Sequence, residues 1–300
     1  MKFALGLFAV AAFAQPIVVE VRKFTSVADL DGARKRIEAE RKGGAWTPDL
    51  LLAHSWMGRG AQAAKKWPEA EKLSNETREL CLEALKSRKL DDEKSLPLAL
   101  GASIEVMGHT LANTARLGEG ISFLRTELKR WHATSIRTRI QKNLHLLSLE
   151  GKPGPKLETK LFLTGVKMKS LGDFKGRPVF LFMWAHWCSD CKAQGPILEG
   201  LRKEFPKLTI VAPTQRYGYV AEGADAPPEK ETPYIAQVQK ERFPWMSEYP
   251  IPVSEENFRL YGVSSTPTLV LLDAKGIVRM YHPGQMTAEQ LRPILAKWTN

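Results

Sequence analysis

Two cysteines separated by two residues, Cys188 and Cys191, are the strongest chemical signal in the sequence. They follow an apolar run at residues 179–184, which predicts a buried strand, and they precede a helical stretch that reaches Phe205. Two cysteines at a helix start can close a tight disulfide, and the partial positive charge of the helix N-terminus favours the thiolate of the first one. We therefore expect Cys188 to attack as the nucleophile and Cys191, one turn further in, to resolve the mixed disulfide.

Other roles for the cysteines and for a neighbouring histidine have to be weighed against this one. A second pair of ligands at zinc-site spacing is absent from the sequence, so we predict no metal. His186 could join the cysteine pair around copper or zinc, but an ordinary exposed histidine is the interpretation we favour. Cys81 lies between two leucines on a predicted helix, where a buried free cysteine is more common than a resolving or intermolecular thiol.

The C-terminal half of the chain alternates between strand and helix patterns. Residues 208–212 and 268–272 are apolar runs like the one before the cysteines, and helical stretches lie between them, which predicts a buried sheet covered by helices. Residues 221–231 are rich in alanine, proline and acidic residues and predict a loop, followed by a helix from about residue 233 to 242. We interpret this loop and helix as an insertion beside the cysteine site.

The N-terminal half predicts helices without strands. Apolar residues between about residues 26 and 149 recur at helical spacing, and Thr47 followed by Pro48 is a typical helix start. The pattern around residues 56–70 partly resembles a tetratricopeptide repeat, although an ordinary helical bundle fits it better. Glycine and proline at residues 151–155 break the helical pattern. We therefore predict an all-α helical-hairpin domain at residues 15–150 and an α/β domain at residues 151–300.

The first fourteen residues resemble a cleaved signal peptide, because Lys2 precedes an apolar run that closes with Ala12-Phe13-Ala14. An uncleaved signal anchor is the alternative. The leader predicts secretion across the inner membrane, into the periplasm if the source is a Gram-negative bacterium. The net charge of +11 comes from dispersed lysines and arginines, so we interpret it as a solvated surface and expect no nucleic-acid partner.

Residues from about 154 to 300 resemble the thioredoxin superfamily, and particularly the exported TlpA/ResA-type thiol-disulfide oxidoreductases. The resemblance rests on the turn at residues 174–178, on the strand that leads into Trp184-Ala185-x-Trp187-Cys188-x-x-Cys191, and on Thr266-Pro267 before the run at 268–272. A hairpin turn at residues 273–276 and a last helix at 288–298 complete it. The implied fold is thioredoxin-like, with a central mixed sheet flanked by helices.

The resemblance also implies further site residues. Pro267 would follow a cis peptide bond and lie beside Cys188, where the Thr266 backbone could receive an extended substrate. Trp184, Trp187, Ser189 and Asp190 would line or shape the site. No cofactor is implied.

Three residues depart from the family pattern. Phe182 stands where thioredoxins usually bury an acid, and Gln194 stands where TlpA/ResA-type enzymes often carry glutamate, so the base for Cys191 is unidentified. Asp190 replaces a common proline, and its carboxylate should repel a neighbouring thiolate and make the site more reducing. A carboxylate that points into solvent and changes little is the alternative.

These observations predict an extracytoplasmic thiol-disulfide oxidoreductase that reduces or isomerises protein disulfides through Cys188 and Cys191. Its partners would be protein thiols or disulfides and an upstream redox donor, which could be membrane-bound, and the helical domain could bind a further protein. One alternative is a redoxin-type thiol peroxidase, but His186-Trp187 does not fit the proline and threonine that usually precede a peroxidatic cysteine. Another is a helical-repeat interaction protein in which the redox module only positions a partner.

Overall fold

The computed structural model describes residues 16–299 of the 300-residue chain, and the predicted signal peptide lies outside the described residues. The chain divides between Ala115 and Arg116 into two compact units. None of the helices in the described range is long and apolar enough to cross a membrane.

The first unit is helical, as predicted. From residue 16 onward its α-helices are α1 (Pro16–Ser26), α2 (Leu30–Arg41), α3 (Pro48–Ala63), α4 (Trp67–Ala84) and α5 (Leu96–Asn113). Helix α3 begins where the sequence indicates, because the Thr47 hydroxyl accepts a hydrogen bond from the Leu50 N–H (3.3 Å) and Pro48 occupies the first turn. Helices α3 and α4 pack together as a hairpin, and Cys81 of α4 is fully buried.

The second unit begins earlier than the break predicted at residues 151–155, with α6 (Leu117–Arg130) and α7 (Arg137–Ser148). Helix α7 belongs here because His145 Nε2 lies 2.8 Å from the Leu260 carbonyl oxygen, and because Gly262 approaches Lys142 so closely that a Cβ would meet its backbone nitrogen at 2.4 Å. The glycine and proline segment is not a free linker, since Gly151 N–H donates to Val278 O (2.8 Å).

A four-stranded mixed sheet forms the centre of the second unit. Its strands are β1 (Val179–Met183), β2 (Thr209–Val211), β3 (Thr268–Leu272) and β4 (Val278–Pro283). They lie in the order β2-β1-β3-β4, with β1 parallel to β2 and antiparallel to β3, and with β3 antiparallel to β4. The thioredoxin-like fold class with a central mixed sheet is therefore confirmed.

Both faces of this sheet are covered, because alternate residues of β1 and β3 enter two different apolar clusters. Phe180 and Phe182 point to the cluster that contains α8 (Ser189–Glu204) and α11 (Ala288–Thr299), whereas Leu181 points to the cluster that contains α10 (Glu255–Tyr261). Burial on both sides explains why the strands appear as continuous apolar runs in the sequence.

The insertion differs from its prediction. Helix α9 (Pro228–Arg242) begins five residues earlier than expected, with a proline in its first turn. The predicted loop therefore contains a short 3-10 helix at Ala221–Gly223 and ends where α9 begins. Glu231, expected at the end of a loop, is instead a buried residue in the first turn of α9.

Candidate active site

The cysteine pair lies where β1 passes into α8. Cys188 is the N-cap of α8, and its Sγ accepts a hydrogen bond from the Cys191 N–H at 3.0 Å. The two cysteines form a disulfide with their Cα atoms 5.2 Å apart. The sulfur of Cys188 therefore sits at a helix N-terminus, where backbone N–H groups and the helix dipole stabilise negative charge once the disulfide is reduced.

The segment before β3 closes one side of this site. The Thr266–Pro267 peptide bond is cis, and the Thr266 carbonyl oxygen lies 3.3 Å from Cys188 Sγ. A reduced Cys188 thiol could donate to this carbonyl. Because proline has no N–H, the backbone polar group presented to Cys188 at this point is the Thr266 carbonyl.

The two tryptophans of the motif have different surroundings. Trp184 is fully buried in the same apolar cluster as both cysteines, its Nε1–H donates to the Ala212 carbonyl (3.1 Å), and its ring packs against Phe243. Trp187 is 47% exposed, which makes it the exposed aromatic neighbour of Cys188. Trp184 therefore supports the site from within, whereas Trp187 can contact another molecule.

The remaining motif residues lie on the surface. Ser189 and Asp190 are exposed in the first turn of α8. The Asp190 backbone carbonyl accepts a hydrogen bond from Gln285 Nε2 (2.8 Å), so the loop before α11 is tied to the start of α8.

Neither of the two positions at which the family pattern implies an acid holds a proton acceptor here. Phe182 is fully buried and packs edge-on against Phe243. Gln194 is also fully buried, and its Oε1 accepts the Met286 N–H (2.9 Å), whereas its Nε2 has no hydrogen-bond partner among the described residues. A buried amide cannot take a proton from Cys191, so the cysteine pair has no carboxylate at these two places.

His186 contradicts the sequence-based expectation of an exposed residue, because its side chain is 1% exposed. Three tyrosine rings surround it at centroid distances of 5.4–5.7 Å, those of Tyr217, Tyr219 and Tyr234. Its Nε2 lies 3.5 Å from Glu231 Oε1. Burial lowers the pKa of His186, and the nearby Glu231 opposes that shift only in part.

Sequence reasoning missed this cluster for a tertiary reason. The tyrosines and Glu231 lie about 30 to 50 residues after His186 in the chain, and no spacing rule connects them. Within residues 16–299 no group of three or more His, Cys, Asp or Glu side chains is placed to hold a metal ion.

Comparisons with known proteins agree with this geometry. A family described as a thioredoxin-like domain matches residues 173–299. Thioredoxin-like protein YneN of Bacillus subtilis is 33% identical over 144 residues, which are 47% of this chain and 76% of that protein. Thiol:disulfide interchange protein DsbE of Xylella fastidiosa is 28% identical over 153 residues, which are 50% of this chain and 71% of that protein.

Thiol-disulfide oxidoreductase ResA of Bacillus thuringiensis is 29% identical over 139 residues, which are 46% of this chain and 72% of that protein. Each of these alignments covers about half of this chain. The family match includes Cys188, Cys191 and Pro267, and residues 1–172 lie outside it.

Proposed function

Because this chain belongs to the thioredoxin-like thiol-disulfide oxidoreductases, we propose that it reduces or isomerises protein disulfides outside the cytoplasm through Cys188 and Cys191. The observation that carries the proposal is the placement of Cys188 Sγ at the N-terminus of α8, 3.0 Å from the Cys191 N–H and 3.3 Å from the Thr266 carbonyl. This arrangement combines a stabilised thiolate with a backbone edge that a substrate can approach.

The first step uses the thiolate of Cys188 on the reduced enzyme. Cys188 Sγ attacks one sulfur of a substrate disulfide, a new S–S bond forms between enzyme and substrate, and the second substrate sulfur leaves as a thiolate that takes a proton from solvent. The helix N-terminus stabilises the attacking charge. The Thr266 carbonyl can accept a backbone N–H from an extended substrate segment, which would hold its disulfide against Cys188.

The second step uses Cys191. Once its thiol has lost a proton, Cys191 Sγ attacks Cys188 Sγ, the mixed disulfide breaks, and the substrate leaves with both sulfurs reduced. The enzyme now holds the Cys188–Cys191 disulfide, and a donor dithiol must supply two electrons to start another cycle. With phenylalanine at position 182 and glutamine at position 194, water is the proton acceptor we propose for Cys191.

The extracytoplasmic location is supported by the first fourteen residues, which have the order of charge, apolar run and small residues that export signals share. An oxidising compartment is also where protein disulfides form and persist, so it supplies the substrate. Proteins named thiol:disulfide interchange protein and thiol-disulfide oxidoreductase among the relatives support the chemistry.

An insulin-reduction assay tests the proposal. The purified full chain, with dithiothreitol as the electron donor, should precipitate the insulin B chain faster than dithiothreitol alone. The matched control carries Cys188→Ala and Cys191→Ala together and should give only the background rate. Equal rates for the wild type and the double variant would reject the oxidoreductase assignment, and recovery of activity from scrambled ribonuclease would separate an isomerase from a reductase.

A further inference from the structure

The insertion reaches the active site through one buried carboxylate. Glu231 of α9 is 1% exposed, and its two carboxylate oxygens accept the backbone N–H groups of Tyr217 (2.5 Å) and Gly218 (2.9 Å). The oxygen that receives Tyr217 N–H also lies 3.5 Å from His186 Nε2. One side chain therefore joins the segment after β2 to the turn that carries Cys188.

The contact between His186 and Glu231 is longer than a normal hydrogen bond, and the buried Nε2 atom has no hydrogen-bond partner in the described residues. Leaving a polar atom unpaired in the protein interior is costly, and such atoms are rare in native structures. His186 Nε2 is one of several such atoms in the described part of the chain, so we infer its role from the Glu231 contact and from the tyrosine rings around it rather than from the missing partner.

The same carboxylate fixes an aromatic surface beside Cys188. Tyr217, held by its backbone N–H, places its ring 5.5 Å from that of Trp187 in an edge-to-face arrangement, and Tyr219 packs at 6.2 Å on the Tyr217 ring. We call Trp187 and Tyr217 the aromatic wall. Trp187 is half exposed and directly precedes Cys188, so the aromatic wall is continuous with the exchange site.

We propose that Glu231 and His186 are positioning residues that hold the aromatic wall beside Cys188, and that this wall makes the enzyme prefer disulfides whose cysteine is flanked by an aromatic residue. The inference rests on the proposed disulfide exchange. The exposed indole of Trp187, with Tyr217 packed against it, can make apolar and aromatic contacts with a substrate side chain. The nearby Thr266 carbonyl can align the substrate backbone at the same time.

A pair of peptide disulfides tests this preference. The two probes are homodimers of a short peptide that differ only in the residue next to cysteine, which is phenylalanine in one and serine in the other. Their reduction by the full-length enzyme with dithiothreitol is followed by chromatography. We expect kcat/KM for the phenylalanine probe to exceed that for the serine probe by about fivefold, mainly through KM, as aromatic contacts of ordinary strength would give.

Glu231→Gln should bring the ratio of the two kcat/KM values close to one, through a raised KM for the phenylalanine probe. The two backbone N–H groups are held by different carboxylate oxygens, and an amide replaces one of these oxygens by an NH2 group that cannot accept. Glu229→Gln is the matched control, because it makes the same change at an exposed position in the first turn of the same helix. The control should keep the wild-type ratio.

If Glu231→Gln does not fold, a comparison of Tyr217→Phe with Tyr217→Ala tests whether the aromatic wall causes the preference. The phenylalanine variant keeps the ring and should keep the preference, whereas the alanine variant should lose it. A wild-type ratio near one, or a preference that survives both Glu231→Gln and Tyr217→Ala, overturns the inference but leaves disulfide exchange intact. Failure of the wild type to reduce either probe overturns the proposed function itself.

Discussion

Each of the two compact units buries a histidine near a glutamate, but the two histidines differ in their hydrogen-bond partners. In the helical unit, His54 Nδ1 lies 2.8 Å from Thr77 Oγ1, and the partly exposed Glu76 stands 3.9 Å from Nε2. In the second unit, His186 Nε2 has no hydrogen-bond partner among residues 16–299 and faces a fully buried glutamate. His54 therefore has a close hydroxyl partner, whereas the imidazole beside Cys188 faces its buried carboxylate at a distance longer than a normal hydrogen bond.

The cysteines also differ between the two units. Removing Cys188 of the second unit should have the largest effect, and removing Cys81 of the helical unit should have none. Cys188→Ala should lower insulin reduction by at least about a thousandfold, because the attacking sulfur is gone. Cys81→Ala should leave the rate unchanged, since burial raises the pKa of Cys81 to about 12 and keeps it a thiol at neutral pH. Loss of activity in Cys81→Ala would contradict the assignment of all exchange chemistry to the second unit.

The helical unit should lose stability in mild acid through His54. Burial, and to a smaller extent Arg34, lowers the pKa of His54 from 6.5 to about 4. Between these values the unfolded chain binds a proton that the folded unit does not, so stability falls as the pH drops from about 6.5 to about 4, by on the order of 3 kcal/mol in total.

Urea unfolding at pH 7 and pH 4.5, followed by tryptophan fluorescence, measures this loss; Trp46 packs 5.4 Å from His54 and reports on the helical unit. His54→Asn keeps an amide N–H toward Thr77 but cannot titrate, so its loss between the two pH values should be smaller than that of the wild type. An equal loss in both proteins would show that His54 does not carry the acid sensitivity.

Much of the second unit could be predicted because its signals are local. The apolar run that ends before Cys188 is a strand with a helix after it, and the Asp273–Gly276 turn is held by Asp273 Oδ1 accepting the Lys275 N–H (2.8 Å). These features depend on residues within a few positions of one another. A family match over the same half confirms them.

The features that the sequence could not predict are those made by residues far apart in the chain. We predicted an exposed His186 because the residues that bury it are distant in the sequence: Tyr217 and Tyr219 lie in the segment after β2, and Glu231 and Tyr234 lie in α9. The second unit begins before the glycine and proline break because His145 reaches the Leu260 carbonyl. No local pattern in the sequence predicts either of these contacts.

A carboxylate at position 194 would supply the proton acceptor for Cys191 that the buried Gln194 amide does not provide. Gln194→Glu can still accept the Met286 N–H and adds a proton acceptor one turn after Cys191, so the mixed disulfide on Cys188 should resolve about tenfold faster. Gln290→Glu is the matched control, since Gln290 Oε1 also accepts a backbone N–H, that of Thr287 (2.9 Å), but at an exposed position. Stopped-flow fluorescence of Trp187 follows the step, and equal rates in wild type and Gln194→Glu would argue against a missing base.

The smallest expected effect concerns Asp190. We expect its carboxylate to repel the Cys188 thiolate, so Asp190→Pro should stabilise the reduced form and raise the reduction potential, by only about 10–30 mV because the side chain is exposed and screened. Asp190→Asn separates the charge from the proline ring and should shift the potential in the same direction. Titration against glutathione buffers measures both, and an unchanged or lowered potential would refute the role of the charge.

The central claim, that Cys188 attacks and Cys191 resolves, is tested most directly by trapping the intermediate. Full-length Cys191→Ala is mixed with oxidised glutathione and its mass is measured before and after digestion. We predict a stable glutathione adduct located on Cys188, whereas Cys188→Ala should give little adduct on the fully buried Cys191. An adduct that forms on Cys191 or Cys81 instead, or no adduct on Cys188 at any pH up to 9, would contradict the account.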